Sequence, residues 1–222
     1  MASKRSLKRL VRYALLPLAI PRDMASFTSS IGVAKTIRYD DGMDDKKNRQ
    51  SWLGAGLQAL ADDGPEGLRI MTIAQKMGVT KGSFYWHFKN LEDYQSALME
   101  EWEQVHTQQV MDIVDQEDVD VGSKLGKLFT GGPPHLFTLG RAIRAWSMTN
   151  EQVRQVQERV DRKRVDYVAH LLTDIGWPAD QAPVIARWNY CAFIGHAAIG
   201  APEMSEAEIG IVVQLLTPPR KG

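Results

Sequence analysis

Apolar residues recur along this chain at three- and four-residue steps, the period of helices that bury one side. From Lys46 onward Leu53, Leu57, Leu60 and Ala61 fall on one face, flanked by Trp52 and Ala59. The helix they predict stops at Asp63-Gly64-Pro65, where glycine permits a left-handed cap and proline cannot continue. A second, short helix holds Ile73, Ala74 and Met77 inward and ends at Gly78. Thr80 then offers a side-chain oxygen to cap a third, which turns Phe84 and Phe88 inward. Asn90 caps a fourth, with Glu92 and Asp93 in the first turn to complement the macrodipole and Leu91, Tyr94, Leu98, Trp102 and Val105 at helical spacing.

Beyond the break at Gly131-Gly132-Pro133-Pro134 the helical pattern resumes through Trp146. Asn150 caps a long helix with Val153, Val156, Val160, Tyr167, Leu171 and Ile175 on one side, ended by Gly176-Trp177-Pro178. Its dense run Arg159, Asp161, Arg162, Lys163, Arg164, Asp166 reads as a solvated face with i,i+4 pairs. Two helices follow, over 179–199 and from the capping-box spacing Ser205-Glu206-Ala207-Glu208, the last with an apolar face of Ile209, Val212, Val213 and Leu216. No alternating strand pattern, internal repeat or hairpin signal interrupts this, so the expected fold is all-α: an N-terminal three-helix helix-turn-helix domain followed by a larger helical domain.

Composition changes the picture at the N-terminus. Lys plus Arg equals Asp plus Glu at 27 each, so net charge selects no partner. Residues 1–38, however, hold eight Lys/Arg against the single Asp23, a basic arm on an acidic body. The division expected is a basic extension and linker over 1–45, a reading module over 46–106 with its motif at 69–88, and a C-terminal domain over 107–222. Basic residues ahead of the short stretch Tyr13 to Ile20 imitate a signal peptide, but no small-x-small cleavage site follows. No apolar run in the sequence reaches the roughly 20 residues that span a bilayer. The lone Cys191 allows no internal disulfide or cysteine-based zinc cluster, which fits a reducing cytoplasm.

The segment Gly67 to Leu91 contains Arg69, Lys76, Lys81 and Lys89 but no Asp or Glu, although acids crowd both flanks. A surface that meets phosphates requires this: each carboxylate opposes a polyanion, whereas each Lys or Arg releases counterions and makes affinity salt-dependent. Short helix, glycine turn, short helix also allows the second helix to enter a major groove while the first crosses the backbone. Thr80, Lys81 and Ser83 are then placed to donate or accept. The alternative reading of this stretch is a packed helical hairpin with incidental basic residues, since Phe84, Trp86 and Phe88 would serve any core.

The stretch LRIMTIAQKMGVTKGSFYWHFKN resembles the helix-turn-helix of the tetracycline-repressor (TetR) family, in its Ile-Ala pair, Gly-Val turn and Tyr-Trp-His-Phe run. The resemblance covers residues 46–106. It implies that Thr80, Lys81, Gly82, Ser83, Tyr85 and His87 face DNA, with Tyr85 and His87 at phosphate and Lys81 within reach of guanine O6/N7. Leu91 stands where the family often has a phosphate-contacting Lys, and Arg69 where a capping Thr or Ser is usual; Arg69, Thr72 and Lys89 complete the expected DNA-binding set. The resemblance further implies a transcriptional regulator, a repressor released from a palindromic double-stranded operator by a small-molecule effector, working as a cytoplasmic homodimer.

Polar or aromatic groups on apolar faces, Trp102, His106, Phe137, Arg141 and Trp146, are the expected effector contacts. Trp188, Ala192 and Gly195, paired with Ile209, Val212 and Leu216, form the expected dimer seam. No cofactor is implied and no metal: His87 has no second ligand at chelating spacing. Two other readings remain: a lipid-associated interaction protein tethered by its basic arm, and a helical enzyme using the C-terminal pocket. The second lacks a P-loop, G-x-S-x-G, H-E-x-x-H or G-x-G-x-x-G motif.

Overall fold

The computed structural model describes residues 48–117, 119–130, 134–202 and 204–218. The expected basic extension and linker, and Gly131 to Pro133 of the central break, lie outside these residues. Among the described residues there are helices and turns but no strand.

Local chemistry accounts for most helix ends. Helix α1 (Arg49–Asp63) begins where the Asn48 side chain accepts the Ser51 N–H at 2.7 Å, and it ends at Gly64, whose positive φ of 67° suits glycine. A 3₁₀ turn (Gly64–Gly67) leads to α2 (Ile70–Met77). Gly78, in the left-handed region, closes α2 with a Schellman pair: its N–H reaches Gln75 O and that of Val79 reaches Ala74 O. Helix α3 (Lys81–Tyr85) is only five residues, and Phe88 follows it in a turn. Thr80 occupies its N-cap without a side-chain capping bond, contrary to expectation; the first turn is closed by backbone alone, Ser83 N–H to Thr80 O. Asn90, Asn150 and Ser205 do cap α4 (Leu91–Glu103), α8 (Glu151–Asp174) and α10 (Glu206–Leu215), the last through a complete capping box. Between them lie α5 (Gln109–Gln116), α6 (Val121–Thr130), α7 (Pro134–Ser147) and α9 (Ala182–Ala198). A π-helical turn, Gln104–Gln108, joins α4 to α5 without a break in the coil.

Two cores hold these helices. In the first, Phe84 sits edge-on to Trp52 and to Tyr94, each with ring centroids 5.3 Å away, and all three rings are buried. The Tyr94 hydroxyl donates to the Trp52 carbonyl at 2.5 Å, pinning α4 to α1. The crossing needs Gly56: a Cβ there would meet the Tyr94 hydroxyl and stand 2.8 Å from Leu98 Cδ2. This core does not stop at α4. Leu139, Ile143 and Trp146 of α7 and Val153 and Val160 of α8 are part of it.

The second core gathers Leu125, Val168, Leu171, Leu172, Ala182, Ala186, Ile209 and Leu216. Ile209 and Leu216 are thus buried inside their own chain, with Val212 packed against the same cluster. The apolar stripe expected to meet a second protomer lies on α6 instead, where Gly122 and Gly126 let Val213 and Ile209 approach. The outward side of α10 carries Ile211 and Leu215.

Candidate nucleic-acid interface and ligand cavity

Phe84 and Phe88, four residues apart, anchor α3 and its following turn to the first core, so the intervening side chains turn outward. Thr80, Lys81, Gly82, Tyr85 and Lys89 are exposed, Ser83 and His87 half-buried, and Arg69 and Thr72 exposed on and just before α2. Lys81 Nζ stands 5.8 Å from the centre of the Tyr85 ring. Arg69 leans toward Glu66 at 3.8 Å and Lys76 toward Asp63 at 3.8 Å, both in solvent, where such pairs contribute little and exchange readily for a phosphate. Leu91, expected on the buried face of α4, is exposed because it is the first residue of the helix, ahead of the packing with α1.

Trp86 is 87% exposed and belongs to neither core, which counts against the alternative of a packed hairpin with incidental basic residues. Two positions on from Phe84 is about 200° around a helix, so the signal was in the spacing of the two phenylalanines.

The other candidate site is a cavity of about 190 Å³ enclosed by the π turn and helices α4 to α9. Trp102, His106, Phe137 and Arg141 line it. Trp146 does not; it is buried in the first core. The lining also includes Arg144, Gln157, Arg164, Asn189 and Tyr190, none of which the sequence singled out for this role. Gln157 and Arg164 follow Val153 and Val160 at four-residue steps, polar residues at positions the helical period reserves for apolar ones.

The charged run of α8 is solvated at Arg159, Arg162, Lys163 and Asp166, as expected, but its ion pairs reach other helices instead of i,i+4 partners. Arg159 and Lys163 both bind Glu103, at 2.5 and 2.7 Å, where α4 passes into the π turn. Arg164 donates to Thr107 Oγ1 at 3.0 Å and to the His106 carbonyl at 3.1 Å, and lies 5.3 Å over the Trp102 ring. Asp161 receives Arg144 through a two-pronged bond of 2.8 and 2.9 Å, together with the Tyr190 hydroxyl and the Gln157 amide. Burial alone would raise the Asp161 carboxyl, but the bonds from Arg144 and Tyr190 outweigh it and leave it below its ordinary range.

The family model for bacterial regulatory proteins of the tetR family matches residues 53–93, from α1 into the first turn of α4. The match is confined to the helix-turn-helix end of the chain. Over 51 residues it is 39% identical to the class D tetracycline repressor of Escherichia coli, a match spanning 23% of each chain, so the likeness to that repressor is confined to under a quarter of its length. In fold it is similar to a TetR transcriptional regulator from Legionella pneumophila, with a TM-score of 0.64 at 12% identity over 81% of this chain and all of that one. It also resembles the regulator FadR of Bacillus subtilis, solved with stearoyl-CoA, with a TM-score of 0.57 at 16% identity over 77% of this chain and 98% of that one. These likenesses show the fold, a helix-turn-helix domain followed by a helical domain.

No described helix is long and apolar enough to cross a membrane. Among the described residues no group of three His, Cys, Asp or Glu is gathered to hold a metal.

The Asp161 cluster sets a pH dependence. Its folded-state carboxyl titrates below the unfolded one, so its stabilisation is present above the ordinary carboxylate range and fades as pH falls through the lowered value. Asp161→Asn is expected to cost about 1–2 kcal/mol at neutral pH, less than a fully buried pair because both side chains keep about a third of their exposure. Melting curves across an acid titration check this: the gap between variant and native protein should narrow as pH drops, and parallel curves refute it.

Proposed function

We propose that this chain is a transcriptional repressor that binds a palindromic operator as a homodimer in the cytoplasm and leaves it when a small molecule enters the cavity. The observation that carries the DNA reading is the acid-free, outward-facing edge from Thr80 to Lys89 on a module matched by the tetR family model. Gly82 supports it. A side chain there would only graze Thr80 Oγ1 at 3.5 Å, so nothing inside the chain requires glycine. A bare backbone at that point favours close approach of a groove wall.

One module reads a short half-site weakly, whereas two held roughly 34–36 Å apart read a palindrome. The exposed apolar residues Trp188 of α9 and Ile211 and Leu215 of α10, with Ala192 and Gly195 beside Trp188 on α9, support a seam on this outer side. The arginines of α8 that hold Glu103 and the π turn support a route from the cavity to α4 and so to the reading module. An effector releases DNA only through its differential affinity for two arrangements, typically about 1–3 kcal/mol.

Footprinting of the purified protein on its own upstream DNA at two salt concentrations tests this reading. A protected palindrome whose affinity falls steeply with salt is expected. No protection, or indifference to salt, defeats it. Lys81→Ala should weaken binding by about 1–3 kcal/mol and relax preference at its base pair. Tyr85→Phe should weaken binding on all sequences alike. Native affinity in both variants would remove α3 from the groove.

A further inference from the structure

Among the described residues the cavity wall contains no carboxylate. It does contain Arg141, Arg144 and Arg164, and these differ in how they are satisfied. Arg144 is neutralised by Asp161. Arg164 is half-buried, yet its partners are all neutral: a threonine hydroxyl, a backbone carbonyl and an indole face. None of its bonds uses Nη1. A guanidinium withdrawn from water without a counter-charge is costly, and a carboxylate is the group its fork fits.

Two helical turns before it, Gln157 also lines the cavity; it is buried and gives its amide N–H to Asp161, while its Oε1 has no partner among the described residues. A buried acceptor left open costs about 1–3 kcal/mol until a donor reaches it. The apolar part of the wall includes Met111, Phe137 and Phe193, with the Trp102 ring under Arg164. A dry cavity of about 150 Å³ holds benzene, so a volume of about 190 Å³ suits one ring with a short substituent, or a short aliphatic chain.

We propose that the cavity binds a small organic carboxylate carrying a hydrogen-bond donor: the carboxylate on Arg164, the donor on Gln157 Oε1, and an aromatic or short aliphatic body against the apolar wall. This deepens the reading of the cavity as the effector site and rests on it for any consequence at DNA. Arg164 is also what ties α8 to the π turn through His106 and Thr107. The incoming carboxylate therefore competes for the guanidinium that holds the end of α4, which is where occupancy would be felt by the reading module.

Titration calorimetry on the full chain tests the proposal with 4-hydroxyphenylacetate and octanoate, each beside its neutral amide, and with tyramine as the cationic counterpart. Binding of at least one carboxylate is expected, with its amide, and tyramine, at least about tenfold weaker. Arg164→Gln should reduce carboxylate affinity by at least about tenfold and Arg164→Lys by less, since the charge remains but the fork does not. Gln157→Leu should remove the advantage of the hydroxylated ring over its unsubstituted form, phenylacetate. The amide comparison is made on native protein, so it decides the matter even if Arg164→Gln does not fold. Failure of both carboxylates to bind, amides or tyramine binding as well as the acids, or native affinity in both Arg164 variants overturns the proposal. A carboxylate that binds in the cavity yet leaves a protected operator untouched upholds the site and overturns only the effector reading.

Discussion

Replacing Phe84 with alanine is expected to cost about 3–5 kcal/mol of stability and to abolish operator protection with it. The ring is fully buried, and it joins three elements at once: Trp52 on α1, Tyr94 on α4 and Phe88 in the turn after α3. Helix α3 has five residues, too few to hold a helical shape by itself. Its conformation is therefore lent by this one side chain. Thermal unfolding followed by circular dichroism, paired with footprinting well below the lowered midpoint, checks both halves of the expectation. A variant that melts with the native protein would show that the aromatic cluster is not what holds the reading edge in place.

Gly56→Ala is expected to be destabilising by about 1–3 kcal/mol or more, although alanine is the better helix former by roughly 1 kcal/mol. The added methyl would collide with Tyr94 and stand 2.8 Å from Leu98 Cδ2. Tyr94 cannot give way cheaply, since its hydroxyl is bonded to Trp52 and its ring is wedged between Phe84 and Phe88. Gly140→Ala is the matching control: nothing lies within 4 Å of a Cβ built on that α7 residue, so propensity should prevail and stability should rise slightly. Chemical denaturation of both variants decides it, and destabilisation of equal size would dismiss the steric account.

What the sequence made legible was mostly local. The caps at Asn90, Asn150 and Ser205 and the turn at Gly78 depend on residues within one helical turn of each other, and the structure contains each of them. Thr80 has the right residue type at the right place but no capping bond, because a five-residue helix can close its first turn by backbone alone. Distant partners were hidden. Arg159 meets Glu103 across 56 residues of sequence, and no pattern within α8 announces that its cations bind another helix. An apolar stripe such as Ile209, Val212 and Leu216 states that it is covered without stating by what, and here its own chain covers it. The π turn at Gln104–Gln108, which brings His106 and Thr107 against Arg164, has no compositional mark at all.

The continuity of the first core from α1 through α8 bears on how such a regulator can diversify. Trp146, Ile143 and Leu139 are packed against the reading module although they lie about fifty residues beyond the matched segment, which ends at residue 93. A chimera that spliced a foreign reading head onto this chain after α4 would leave that indole and its neighbours facing the wrong surface. A new preference in the proposed reading edge is therefore tied to a patch of α7 that lies outside that edge, and recombination between relatives should succeed only where that patch travels along or happens to fit.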